Sequence, residues 1–456
     1  MNPAAERSSL KAVGKTNGGC GGPDHRLHRR LFLQGSMAGA ASIASFQGLF
    51  NTPLLADAKP VESANQGTAK RCILLWLCGA PSQFETWDPK PGRPSSGPFG
   101  AISTKVPGTQ VSELMPRCAT IMDKLAVIRS MSTEPSEHFQ AIDRLTRGEA
   151  PRPPFTRPIL GSVVAQQLAD RENPVPGFVL LDPCPEGNEF KGFKAGNWPG
   201  WLGAEYSPVR FGGDYKLDNI ERLAEVSELD HAEREGLRSL LSNAFAQQRK
   251  SSAVNSYNAA FERVDGLMSA APLFDIHRLP EQDKQRYGPG TFGMHALLAR
   301  HLVENGSTFV MVANGMPWDC HVLNHEIHQM LVPEMDRVVY HLVNDLEERG
   351  LLDDTLVLVM GEFGRTPWLN QARGRDHYPN AWSMAMAGGG VRGGTVYGST
   401  DRDGIEVAEN AVDQRRLFAT IFRALGIDPH QTYDLPGLPT FHRVEQDAQP
   451  IAEILS

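Results

Sequence analysis

Beyond residue 60 the chain alternates short, continuous apolar runs with longer stretches of helical spacing. The first run, "RCILLWLCG", has a strand at Ile73–Leu77 and is closed by Gly79. A run of that length between turn residues suits a strand buried on both faces, as in a parallel sheet. "LMPRCATIMDKLAVIRSM" predicts a helix feeding a strand at Leu125–Ile128, "PILGSVVAQQLAD" a helix, and "PGFVLLD" a strand. Residues 190–217 are rich in Gly, Trp and Tyr and carry little periodicity. From about 217 to 268 the pattern is helical and largely free of Pro, which predicts a two- or three-helix insertion or cap. The alternation then resumes: helix "GMHALLARHLVENG", strand "STFVMVANG", helix "EMDRVVYHLVNDLEERGLL", strand "DTLVLVMGEFG". "AWSMAMAGGGVRGGTVYGST" reads as two strands joined by a Gly-rich turn, and "DQRRLFATIFRALGID" as a closing helix. Helices and strands alternating through short connections predict an α/β fold with a doubly wound, mostly parallel sheet.

Composition narrows the function classes. At 456 residues, 41% hydrophobic and 21% charged, this is an ordinary globular chain with room for a large core. A net charge of −8 and no basic stripe argue against a nucleic-acid partner. No segment after residue 60 approaches the roughly 20 apolar residues of a stable membrane span.

The N-terminus reads as an address. "HRRLFLQGSMAGAASIASFQGLFNTPLLADA" places Arg29 and Arg30 before a short, weakly apolar stretch that ends in Ala56-Asp57-Ala58. That order fits a cleaved export signal over residues 1–58, and the paired arginines resemble those read by the twin-arginine machinery. Residues 59–456 would then form a single domain in the periplasm or outside the cell. Six cysteines without a C-x-x-C pair exclude a zinc-ribbon or thioredoxin-type site, and a disulfide framework is not expected.

The candidate chemistry sits in four loops that follow strands. One runs from Ser82 through Glu85 and Asp88 to Lys90. A second holds Glu137, His138, Asp143 and Arg144, with Ser136 as the expected helix cap. A third holds Asp319 and His321, with His325 and His328 downstream, and a fourth holds Glu362, Arg365, Asp376 and His377. In a parallel sheet, ligands gather beyond the carboxyl ends of strands. Carboxylates and imidazoles meeting there are what a divalent metal requires, and Arg365, Arg373 and Arg375 suit a tetrahedral oxyanion. Taken singly, each group reads equally well as a solvated surface charge; their recurrence at four strand ends favours a site. The Gly-rich "AGGGVRGGTVYGS" lacks the context of a nucleotide loop, and no G-x-S-x-G elbow is present.

Together, "S-Q-x-x-T-W-D-P-K-P", "W-D-x-H", "GEFGRTP" and "GRDHYP" resemble the DUF1501 family across essentially the whole mature chain. That family consists of exported bacterial proteins assigned to the alkaline phosphatase-like superfamily, with sulfatases and phosphodiesterases. The resemblance implies an alkaline phosphatase-like α/β/α sandwich and a metal-dependent hydrolase of a sulfate or phosphate ester. It implies metal ligands at Asp319, His321, Glu362 and His377, a divalent ion (Zn, Ca, Mg or Mn), and a sulfated or phosphorylated small molecule or polysaccharide as substrate. Ser82 stands as the nucleophile candidate, Arg365 as the oxyanion binder, and His138 as a further catalytic group able to join the metal. The chain departs from the superfamily where an acidic residue closes the first strand, since Cys78-Gly79 stands there. It also lacks the C/S-x-P-S/A-R segment of sulfatases. A non-catalytic binding protein on the same scaffold is the alternative these departures leave open.

Overall fold

A computed structural model describes residues 67–149, 156–182, 198–211, 225–249, 261, 263, 264, 266–434 and 440–456. All of them lie in one compact unit, Leu54–Ser456. The export signal expected at 1–58 falls outside the described residues. So does part of the expected insertion at 217–268, of which one long helix is described.

Eight strands make the central sheet: β1 (Arg71–Trp76), β2 (Leu125–Met131), β3 (Phe178–Leu181), β4 (Val209–Phe211), β5 (Phe309–Ala313), β6 (Thr355–Met360), β7 (Trp382–Gly388) and β8 (Thr395–Tyr397). Their spatial order is β8-β2-β7-β6-β1-β5-β3-β4. All pairings are parallel except those of β7, which runs antiparallel to both β2 and β6. The sheet is therefore mostly parallel, as the apolar runs predict. The Gly-rich turn does not close a hairpin, because β8 lies on the far side of β2 from β7.

Helices cover both faces, and β1 shows why its run is unbroken. Cys72, Leu74 and Trp76 point into a core shared with α2 (Leu160–Leu168) and α6 (Gln414–Ala424). Ile73, Leu75 and Leu77 point into the opposite core, shared with α4 (Thr291–Glu304) and α5 (Asn324–Glu348). Each residue of a strand alternates between faces, so a strand buried twice over has no position free for a polar side chain. The result is an α/β/α sandwich. Two further helices are used below: α1 (His138–Arg147), and α3 (Glu228–Arg249) of the insertion.

Among the described residues, Cys72, Cys78, Cys118 and Cys320 are buried free thiols. No described helix is long and apolar enough to cross a membrane. α1 is capped by Glu137, whose carboxylate accepts from the Gln140 N–H at 3.0 Å, and not by the expected Ser136.

Leu75 lies at 0% exposure in the middle of the central strand. Leu75→Ala is expected to lower stability by about 2–5 kcal/mol, read as a shift in the urea-unfolding midpoint. A shift under 0.5 kcal/mol would mean that β1 is not the centre of the core.

Candidate metal centre

β1, β2, β5 and β6 all end on one rim of the sheet, and the four polar loops leave from those ends. β7 starts on the same rim because it runs the other way, so the segment just before it, His377–Tyr378, returns there too. It is held by pairing with Gly364–Arg365.

Three imidazoles converge on one carboxylate oxygen. Asp319 Oδ1 lies 3.3 Å from His138 Nε2, 3.0 Å from His321 Nε2 and 3.2 Å from His377 Nε2. Donor atoms of His138, Asp319 and His377 all fall within 4.8 Å of one another. His321 Nε2 is 2.9 Å from His377 Nε2.

The outer nitrogen of each ring is committed to an acceptor. His138 Nδ1 donates to Glu362 Oε1 at 2.7 Å, His321 Nδ1 to Asp376 Oδ1 at 2.7 Å, and His377 Nδ1 to the Ser136 carbonyl at 2.6 Å. In a neutral imidazole the proton sits on the nitrogen that donates, which leaves all three Nε2 lone pairs aimed inward. Lone pairs at 2.9 Å repel unless a proton or a cation stands between them. His138 Nε2 is buried, and the polar atom it faces is Asp319 Oδ1 at 3.3 Å. The donor set therefore fits a metal ion: three imidazoles and one carboxylate, backed by carboxylates and a carbonyl.

Arg365 carries the positive charge that Asp319 needs in the ion-free chain. It is at 0% exposure, and its guanidinium donates to Asp319 Oδ1 (2.7 Å), the Arg375 carbonyl (2.9 Å), the Ala80 carbonyl (3.0 Å) and the Gly79 carbonyl. Burial raises the Asp319 pKa, but His138, His377 and Arg365 outweigh it and hold the carboxyl far below the usual range. Burial likewise lowers the His138 pKa, but the carboxylates of Asp319 and Glu362 overcome this and push it up to about 9.

Several expected roles look different in place. Glu362 is fully buried one layer behind His138; its Oε1 also accepts from the Gly79 N–H at 2.8 Å, while Oε2 is buried without a partner. Arg365 is enclosed by the carbonyls of Gly79, Ala80 and Arg375 and does not offer a fork to an incoming oxyanion. Arg375 is enclosed too, donating to Thr366, Pro367 and Ser95 carbonyls and to Glu85, and Arg373 pairs with Glu326 outside. Ser82 is at 0% exposure; its hydroxyl accepts from the Phe84 N–H at 3.3 Å, and its N–H donates to His328 Nε2. His328 is neutral behind the centre, its pKa lowered to about 4 by burial, and His325 pairs with Glu85. His321 precedes α5, and His325 and His328 sit on its first turns.

What the sequence reading missed is mostly backbone. The first strand supplies no side-chain donor; it supplies the Gly79 amide to Glu362 and the Gly79 carbonyl to Arg365. Gly79 has φ +100°, and a Cβ there would meet the Asp319 nitrogen at 2.5 Å, so only glycine lets the two loops touch. Gly374 is as tightly set, with a Cβ meeting the His321 carbonyl carbon at 1.9 Å. The Gly-x-Asp-His spacing was legible; which neighbour the glycine touches was not.

The family described as "protein of unknown function (DUF1501)" matches residues 69–455 of this chain. No curated protein matches it in sequence. Among solved structures, it is similar to the lipoteichoic acid synthase LtaP from Listeria monocytogenes, at 10% identity and TM-score 0.37, over 82% of this chain and 77% of that one. It is similar to a protein in the alkaline phosphatase superfamily from Vibrio parahaemolyticus, at 11% identity and TM-score 0.37, over 82% and 72%. It is also similar to the PsFucS1 sulfatase from Pseudoalteromonas sp., at 12% identity and TM-score 0.33, over 78% and 68%.

Two outcomes test this geometry. Asp376→Asn removes the charged acceptor behind His321 and is expected to weaken zinc binding about 10–100-fold by titration calorimetry; an unchanged affinity would place His321 outside the centre. The raised His138 pKa stabilises the metal-free chain fully below pH 6.5, and that contribution is lost as pH rises through about 9. A metal displaces the same proton. The melting temperature of chelator-treated protein should therefore fall between pH 6.5 and 9, while the rise produced by added zinc grows; opposite slopes would contradict the assignment.

Proposed function

The chain belongs to the DUF1501 family, and on that footing we propose that it is an exported, metal-dependent hydrolase of the alkaline phosphatase/sulfatase-like class, cleaving a sulfate or phosphate ester. The observation that carries this reading is the convergence of His138, His321 and His377 Nε2 on Asp319 Oδ1, with every outer ring nitrogen already committed. Three imidazoles and one carboxylate suit a borderline ion such as Zn²⁺ or Mn²⁺ better than Ca²⁺ or Mg²⁺, which favour oxygen shells. When bound, such an ion supplies a Lewis acid for an ester oxygen and lowers the pKa of a water beside it.

The chain's own groups orient and hold. Arg365 fixes Asp319, Glu362 fixes the His138 ring, Asp376 fixes His321, and the Ser136 carbonyl fixes His377. Each anchor keeps a lone pair aimed at the centre without needing to reorganise during reaction. With the Ser82 hydroxyl enclosed, attack falls to water. Twin-arginine export through residues 1–58 would deliver the folded, loaded protein to the periplasm or beyond.

One observation favours a second reading, a binding protein without turnover. Arg365 and Arg375 are both buried with their terminal nitrogens donating inside the protein, so neither guanidinium faces an incoming ester oxyanion. Elemental analysis of the purified protein, followed by aryl sulfate and aryl phosphate assays, separates the two. We expect about one metal ion per chain, and turnover that falls at least about 100-fold in His377→Ala and Asp319→Asn. Metal without a difference in rate makes the protein a binder; no metal, even after soaking, removes the mechanism.

A further inference from the structure

Each histidine of the centre is followed in the chain by a large apolar or aromatic residue: Phe139 after His138, Val322 and Leu323 after His321, and Tyr378 after His377. Phe139 is 45% exposed, Val322 52% and Leu323 43%. The loop leaving Arg365 adds Trp368 and Leu369, at 55% and 41%. Trp368 lies edge-on to Tyr378 with ring centroids 5.9 Å apart, and the Tyr378 hydroxyl donates to the carbonyl of Ile405, another exposed apolar residue. The other exposed large apolar groups among the described residues sit mainly on α3 and at Val264 of the insertion, with Met330 on the outside of α5. Within the sheet domain, exposed apolar surface is thus concentrated on the loops that carry the centre. A contiguous apolar patch rimmed by polar groups is a mark of a binding site.

The charges on these loops point the same way. Arg365 and Arg375 are buried, Arg373 is paired with Glu326, and Arg144 is paired with Glu134, whose side chain is 86% exposed. Asp376 adds a half-exposed carboxylate. The rim thus carries little free positive charge with which to grip a polyanion and much apolar area with which to hold a hydrocarbon or aromatic group.

We propose that these residues form an apolar collar that selects esters whose alcohol part is a bulky hydrocarbon or aromatic group, in preference to highly sulfated or phosphorylated sugar chains. This deepens the hydrolase reading and rests on it for the placement of the ester at the metal centre. The collar would cover the leaving alcohol while the anionic head faces the imidazoles. Aliphatic Val322, Leu323 and Leu369 favour hydrocarbon over sugar, because a sugar face needs hydrogen-bonding partners around its stacking ring.

The test uses non-hydrolysable alkylphosphonates, from methyl to octyl, titrated calorimetrically into zinc-soaked full-length protein, with a sugar phosphonate as comparison. Zinc content is measured on the same samples. Affinity is expected to rise up to about fourfold per added buried methylene, the change that about 0.8 kcal/mol represents. In Trp368→Ala, and separately in Val322→Ser with Leu369→Ser, the dependence on chain length should flatten while zinc content stays at the wild-type level. A flat series in the wild type, or tighter binding of the sugar phosphonate than of octylphosphonate, overturns the collar. A zinc-loaded protein with a flat series defeats the collar alone; a protein without zinc that still shows the slope defeats the metal reading and keeps the collar.

Discussion

One carboxylate oxygen organises the rim of this protein. Asp319 Oδ1 meets the Arg365 guanidinium and three imidazole nitrogens, and each of those partners is fixed from behind. An anion set into a partly dry rim must be compensated, and Arg365 supplies that compensation at the cost of its own solvation. Arg365 is tolerable at 0% exposure because the carbonyls of Gly79, Ala80 and Arg375 take up three more of its N–H groups. The left-handed turn at Gly79 and Ala80, with φ +100° and +66°, is part of the same arrangement, since it turns those carbonyls toward the guanidinium.

The sheet brings these groups together from far apart in the chain. His138 follows β2, Asp319 and His321 follow β5, and Glu362 follows β6, all from strands that end on the same rim. His377 would lie at the opposite edge if every strand were parallel. The reversal of β7 returns it, and the two-residue pairing with Gly364–Arg365 sets its depth. The one antiparallel strand of the described central sheet is thus what places the third imidazole.

The same economy of charge bears on the proposed substrate. Guanidinium groups that look, on paper, like an anion grip are consumed inside the protein, where they hold loops and balance Asp319 and Glu85. Apolar groups beside the centre stay in solvent: Phe139, Val322, Leu323, Trp368 and Leu369. An ion held by the inward lone pairs would replace part of the work of Arg365 in neutralising Asp319, and it would be the main attraction for an anionic head group. In the proposed hydrolase, charge at the centre and hydrocarbon at the edge would divide recognition between them.

By itself the sequence determined the strands, the mostly parallel sheet and the four loops where polar groups collect. Those are local properties: a strand buried on both faces must be apolar at every position, as in Cys72–Leu77, and its polar neighbours are pushed to its ends. It also marked His138, Asp319, His321 and His377 as residues able to ligate. Only the tertiary structure decided that Glu362 stands behind His138, that Arg365 and Arg375 are clamps, and that Ser82 is enclosed. Whether a carboxylate faces an ion or a histidine, and whether a guanidinium meets solvent or a carbonyl, depends on the few ångströms between groups such as Gly79 and Glu362. No periodicity encodes that spacing, because it is set by how the loops of different strands pack against one another.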